Sequence, residues 1–334
     1  MSVIRFSNPP RIISRASVVG KKESEGSLAA YFDMTDTSDK FGKETFEQAE
    51  SEMQRLALGL ALKKARLKEK QLDAVFAGDL MNQCTSSSYG LSSFGVPFFG
   101  IYGACSTAAE GLMLGAMSVD GGYFSRVATV SSSHNSSAER QFRFPLEYGS
   151  QRPPTAQWTA TAAGAFILEG SEGDGVMVVD ALPGIIVDKG ITDQSNMGAA
   201  MAPAAASTLY RYFTESGYEP SDFDMILTGD LGHEGHSICV DLLYGMGLEL
   251  GKRFSDCGRL IYDRERQDTH SGGSGCGCSA SVLAGYVMHR FDAGEINDVL
   301  LVGTGALMSP SSVLQGLSIA GIGHLVHLSS RKRS

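Results

Sequence analysis

The chain repeats itself, and the repeat limits the folds open to it. Residues 73–82 read Asp-Ala-Val-Phe-Ala-Gly-Asp-Leu-Met-Asn, and residues 224–233 read Asp-Met-Ile-Leu-Thr-Gly-Asp-Leu-Gly-His. Each is a short apolar run opened by an acid and closed by glycine, the pattern of a buried parallel strand ending in a turn. A second matched pair lies downstream of each. Gly103 to Val130 runs from a glycine turn through Cys105, a small-residue helix and Gly121-Gly122 to a strand at Val127–Val130. Gly272 to Val302 runs from a glycine turn through Cys276 and Cys278, another small-residue helix and Gly294 to a strand at Val299–Val302. Two matches in the same order predict two similar α/β halves packed together.

The remaining segments fit this plan. Thr45 and Gln48 form a capping-box pattern ahead of a helix predicted over Phe46 to Lys68, with Met53, Leu56, Leu60 and Leu67 at helical spacing. A strand is expected from Ala160 to Leu168, a glycine-rich crossover from Gly170 to Gly175, and a new strand from Val176 to Ala181. The boundary falls in the crossover, giving halves of residues 1–172 and 173–334. Pro203 is expected to open a helix running to about Ser216. The 40 glycines cluster at the ends of apolar runs, as close strand–helix turns require.

Charge and cysteine usage exclude several classes. With a net charge of −9 and no basic stripe, the chain is not a nucleic-acid binder. The basic tail Arg331, Lys332, Arg333 reads as a solvated terminus, with contact to anionic lipid as the other reading. No signal peptide and no apolar run of about 18 residues is seen, so any membrane association must run through a partner or a surface contact. The six cysteines follow no disulfide spacing, which points to a reducing compartment.

Cys105 carries the chemistry. It stands where a strand turns into a helix, and the positive helix end there is expected to favour thiolate and to attract an anion. A buried structural cysteine fits the same spacing. Cys276-Gly-Cys278 lacks the second pair of ligands that a metal site needs, no metal or cofactor is expected, and the run Gly272 to Gly277 is not followed by Gly-Lys-Ser/Thr as in a phosphate loop. His233 with His236 reads as a surface pair. Asn82-Gln83 reads as a polar turn or as a segment reaching a partner's pocket.

Gly-Ala-Cys-Ser-Thr at 103–107 resembles the nucleophile turn of thiolases and β-ketoacyl-acyl carrier protein synthases. Four longer stretches resemble the SpoVAD family of endospore-forming bacteria: Ala-Gly-Asp-Leu-Met-Asn-Gln at 77–83, Ser-Ser-His-Asn-Ser-Ser-Ala-Glu-Arg-Gln-Phe-Arg at 132–143, Met-Gly-Ala-Ala-Met-Ala-Pro-Ala-Ala-Ala at 197–206 and Gly-Gly-Ser-Gly-Cys-Gly-Cys-Ser-Ala at 272–280. The likeness covers almost the whole chain and is weaker over the first forty residues. It implies a thiolase-like five-layer αβαβα fold from two duplicated halves, and a homodimer. It also implies binding of dipicolinic acid, alone or as its calcium chelate, during uptake into the developing spore and release in germination. Partners among the SpoVA membrane proteins would place the chain peripherally on the inner spore membrane.

The departures from the synthase pattern bear on mechanism. A condensing enzyme sets its thiolate beside a histidine and a second histidine or asparagine. In the type III ketoacyl synthases these lie after the strand matching Met225–Thr228 and in the turn matching 272–275. Here those places hold Gly229-Asp230 and Gly273-Ser274. An aspartate repels a thiolate and a developing oxyanion, so Claisen-type acyl transfer through Cys105 is the alternative reading and ligand binding the favoured one. The expected ligand-binding residues are Cys105, His134, Asn135, Arg140, Arg143, Asp230, Ser274 and Cys276. Arg140 or Arg143 would fork a carboxylate, with surface ion pairs as their other reading. His134 or Asn135 would face the pyridine nitrogen, and a structural role for His134 fits as well.

Overall fold

In a computed structural model, which describes residues 2–142 and 152–331, the two halves follow one plan. The first half has strands β1 (Arg11–Val19), β2 (Ala74–Gly78), β3 (Phe98–Gly100), β4 (Arg126–Ser133) and β5 (Ala162–Glu169). The second has β6 (Val176–Leu182), β7 (Met225–Thr228), β8 (Phe254–Asp256), β9 (Asp298–Leu307) and β10 (Ala320–Ser329). The strands lie in the order β3-β2-β4-β5-β1 in one half and β8-β7-β9-β10-β6 in the other. In each half the second strand is parallel to the third and fourth, and the fourth is antiparallel to the fifth. The halves join where β1 and β6 pair at Arg11–Met177 and Ile12–Val176.

Seven helices organise the layers: α1 (Phe46–Ala65), α2 (Thr85–Leu91), α3 (Thr107–Asp120), α4 (Asn135–Phe142), α5 (Met197–Ser216), α6 (Gly232–Gly245) and α7 (Cys276–Val282). Strand residues alternate between two cores, as a sheet covered on both faces requires. Ala163, Ala165 and Ile167 of β5 pack under α1, whereas Phe166 and Leu168 join Leu112 and Met113 of α3 and Val282 of α7. On β9, Leu300 and Val302 face α5, and Val299 and Leu301 face the centre. Helices α3 and α7 therefore form a middle layer between the sheets, with α1–α2 and α5–α6 outside: the five-layer αβαβα order.

Small residues allow the middle layer to approach closely. A Cβ added at Gly303 of β9 would lie 2.7 Å from Ala109 Cβ, and one at Gly164 of β5 would lie 2.5 Å from the Ala280 carbonyl oxygen. Each central helix thus packs against the opposite half's sheet as well as its own.

Local signals held with two adjustments. The Thr45–Gln48 capping box opens α1, worth about 1 kcal/mol, but the helix ends at Ala65 because Arg66 turns left-handed at φ +56°. Pro203 does not open its helix. α5 begins six residues earlier, where the Asn196 side chain accepts from Ala199 N at 3.2 Å. That cap, and the contact of Gly198 with the α6 backbone, override the proline signal. The expected turn at 272–275 contains a two-residue strand, Gly273–Ser274, parallel to Trp158–Thr159.

Candidate functional site

The site lies where the first turns of α3 and α7 meet. Ala104, just before Cys105, adopts a left-handed backbone at φ +51°, which a non-glycine residue holds only under constraint. The constraint is visible: Ser106 N donates to Gly103 O at 3.0 Å, Thr107 Oγ1 to Ala104 O at 2.7 Å, and Gly103 N to Thr107 Oγ1 at 3.1 Å. This turn puts Cys105 at the head of α3 and packs it with Leu80, Ala138 and Cys276.

Asp230 lies beside the thiol. It is fully buried, and its Oδ1 accepts from Thr304 Oγ1 at 2.8 Å. Its Oδ2 accepts from Gly275 N at 2.7 Å and from Ser274 Oγ at 3.2 Å, and Ser274 Oγ sits 4.0 Å from Cys105 Sγ. Gln157 ties the loop down, donating to Asp230 O at 2.6 Å and Gly273 O at 2.7 Å. Burial raises the Asp230 carboxyl above its ordinary range while these donors oppose the rise.

The thiolate expected at Cys105 is corrected here. Burial, then the Asp230 charge, push the thiol well above its ordinary value. The helix end does not compensate, because the sulfur is withdrawn from bulk water and faces a carboxylate. Cys276 is likewise a buried thiol, donating to Ser132 O at 2.9 Å, with burial as the first cause of its raised pKa.

A narrow pocket of about 40 Å³ opens above the sulfur. That is room for about three ordered waters. Its walls are Leu80, Tyr102, Ala104, Ala138, Glu139, Phe142 and Thr159 from the first half, and Met197, Ser274, Ala306 and Met308 from the second.

The eight expected site residues divide. Cys105 and Ser274 line the pocket, Asp230 underlies it, and Cys276 packs against its floor. His134, Asn135 and Arg140 do not line it. His134 is buried, its Nε2 2.8 Å from Asp39 O and its Nδ1 accepting from Ser136 N at 3.1 Å, so it is a neutral structural ring whose pKa burial lowers. Asn135 opens α4, its N–H donating to Thr161 Oγ1. Arg140 faces outward to Glu47 at 3.0 Å, the surface ion pair. Arg143 lies outside the described residues. His233 and His236 stand apart; the latter stacks on Phe254 at 4.5 Å and meets Arg259. Among the described residues no imidazole lines the pocket and no His/Cys/Asp/Glu group has the makings of a metal site.

Sequence reasoning missed Gln157, Thr304 and most wall residues. Thr304 carried a faint signal, a hydroxyl inside the glycine run Gly303-Thr304-Gly305 at a strand's end. Gln157 carried none, because its partners lie 73 and 116 residues away.

A sequence model of "Stage V sporulation protein AD (SpoVAD)" matches residues 1–329. Stage V sporulation protein AD of Bacillus subtilis (strain 168) is 40% identical over 319 residues, covering 96% of this chain and 94% of that protein. Among solved structures, a single-residue variant of OleA from Xanthomonas campestris superposes with a TM-score of 0.61 at 14% identity, over 97% of this chain and 99% of that one. The 3-oxoacyl-[acyl-carrier-protein] synthase III of Aquifex aeolicus VF5 superposes with a TM-score of 0.55 at 13% identity, over 95% and 99%. At such identities the structures speak for the thiolase-like fold alone.

Proposed function

The chain belongs to the stage V sporulation protein AD family, and from that premise we propose that it is a non-catalytic sporulation protein whose former acyl pocket binds dipicolinic acid, in its uptake into the developing spore and its release in germination. The observation that carries this reading is Asp230 locked beside Cys105: the pocket keeps its nucleophile position and holds the sulfur as a thiol. What remains suits recognition. Leu80, Phe142, Met197 and Met308 give the slot apolar walls that would take a planar ring, with the polar side chains of Tyr102, Thr159, Ser274 and Glu139 among them. The resting slot is narrower than a pyridine dicarboxylate, so binding displaces a wall, with Phe142 and the α4 segment that carries it as the part that gives.

Calorimetry with dipicolinate, with and without equimolar calcium, tests this. Binding heat is expected for the wild type. Tyr102→Phe should weaken binding about fivefold to tenfold, the worth of one hydrogen bond to a charged oxygen. Ala138→Phe should fill the slot and abolish the heat. A silent wild type in both arms removes the proposal.

The dimer and the membrane location belong to the same reading. Strand β3 ends its sheet and carries Phe98 and Phe99 at 40% and 45% exposure, with Tyr89 at 76% nearby, so a second copy pairing along this edge would cover apolar surface and backbone groups together. Phe98→Glu with Tyr89→Glu is expected to weaken a dimer at least about tenfold in sedimentation velocity; an unchanged sedimentation profile would place the contact elsewhere. Among the described residues no helix is long and apolar enough to cross a membrane. Association with the inner spore membrane would then run through the membrane-embedded SpoVA proteins.

A further inference from the structure

Behind the first-half wall of the pocket lie two buried carboxyl groups with no part in the site described above. Glu50 of α1 is 1% exposed and Asp79, at the end of β2, is fully buried. Glu50 accepts from Ser132 Oγ at 2.9 Å and from Ser137 Oγ at 2.7 Å. Asp79 accepts from Ser87 Oγ at 2.5 Å, from Ser87 N at 2.8 Å and from Met81 N at 2.8 Å. Gln54 Nε2 joins the two sets, donating to Ser87 Oγ at 2.9 Å and to Ser132 Oγ at 2.8 Å. Its Oε1, buried in the same cluster, has no hydrogen-bond partner.

Among the described residues the surroundings supply no compensating cation. On α7 the nearest titratable group is the Cys276 thiol, at the root of α2 the Cys84 thiol, and after β3 the Tyr102 phenol, all neutral. The charged residues of α4 nearest the cluster are Glu139, on the pocket wall, and Arg140, which faces out to Glu47 of α1. Two ionised carboxylates sealed in this cluster would repel each other with nothing to neutralise them, which burial makes far costlier than it is in water.

We propose that Glu50 and Asp79 share a single proton and clamp the first-half wall of the pocket, and that the clamp loosens when the proton leaves. Two of the segments it grips carry wall residues, and a third holds a residue of the pocket floor. Asp79 precedes Leu80, Ser137 precedes Ala138 and Glu139, and Ser132 O holds the Cys276 thiol. Gln54 Oε1, buried in the same cluster without a partner, is an acceptor still open to a proton held there. Burial and the Asp79 charge raise Glu50 to about 8, so loss of the proton falls just above neutrality. The freed proton goes to water, and the second negative charge pushes α1 away from β2 and α4.

The consequence for binding rests on the pocket reading above, but the test does not. Infrared spectra of the whole chain should contain a buried protonated-carboxyl band near neutral pH that disappears above about pH 8 and is absent in Glu50→Gln. Wild-type amide protection over residues 79–91 and 132–142, corrected for the intrinsic rate, should fall about tenfold from about pH 7 to about pH 9. In Glu50→Gln, which cannot ionise, it should stay level. The linkage sign follows: a carboxyl raised in the folded state holds its proton where the unfolded chain has lost it, so wild-type stability declines as pH rises from about 4.5 to about 8 and is level beyond. Should Glu50→Gln not fold, the wild-type band and its loss above about pH 8 decide the matter alone. A missing band, or the same loss of protection in the neutral variant, overturns the clamp. Dipicolinate failing to bind would leave these readouts untouched.

Discussion

Asp230→Ala is expected to lower the unfolding free energy by about 3–5 kcal/mol and, in the fraction that folds, to make Cys105 reactive. Three buried donors lose their acceptor at once: Thr304 Oγ1, Ser274 Oγ and Gly275 N. Each orphaned donor costs about 1–3 kcal/mol, and relief from burying a carboxylate returns part of the sum. Asp230→Asn separates the effects, because it keeps one acceptor oxygen and the side-chain shape while removing the charge. Urea unfolding should place it between wild type and alanine. The thiol should respond in both variants. With the carboxylate gone, burial and the neighbouring Cys276 still oppose thiolate, but the largest charge against it is removed and the head of α3 favours the anion. Alkylation of the Cys105 peptide by iodoacetamide, followed by mass, should be negligible in wild type and measurable in Asp230→Asn. Equal, slow rates would mean that Asp230 does not hold the proton on sulfur. A wild-type adduct with an acyl thioester would go further and restore the acyl-transfer reading.

Which parts of this arrangement were legible follows from how far apart the cooperating residues are. The repeat was legible because Gly78-Asp79-Leu80 and Gly229-Asp230-Leu231 close the second strand of each half, and strand, turn and helix are written locally. The turn at Cys105 was legible for the same reason. The two aspartates of the repeat then part company, one beneath the pocket at Cys105 and one in the Glu50 cluster behind it, and nothing in the identical tripeptides separates them. His134 was ambiguous because its partner is the carbonyl of Asp39, 95 residues earlier. Arg140 suited a carboxylate in composition, yet the helix turns it to Glu47 of α1. Pro203 misled because a helix start was decided by Asn196 and by contact with α6. In each case a tertiary contact outvoted a local preference.

Gly277→Ala is expected to cost about 3 kcal/mol or more and to remove the pocket along with the stability. Gly277 sits in the first turn of α7, between Cys276 and Cys278. A Cβ there would lie 2.1 Å from Ala162 O, 2.7 Å from Ser133 N and 2.7 Å from Ser133 Oγ. Overpacking usually costs about 1–3 kcal/mol because neighbours shift. Here the two nearest atoms are backbone groups of β5 and β4, paired with each other at Ser133 and Ala162, so the sheet would have to open for them to move. The helix moves instead. Its first turn carries Cys276, and just before it stand Ser274 of the short strand and Gly275 at the helix cap, which hold Asp230. A shift of α7 therefore breaks the Asp230 bonds and parts the two central helix heads. Thermal unfolding should show a Tm lower by about 4 °C or more, since each kcal/mol moves a chain of this size by roughly 1–2 °C. Gly294→Ala is the control: it has a positive φ of 68° but no atom within 4 Å of a new Cβ, so it bears backbone strain without a clash and should cost about 1 kcal/mol. If the two variants lose the same amount, close approach at the middle layer is not what the glycine provides, and the contact between α7 and the first-half sheet is looser than its distances imply.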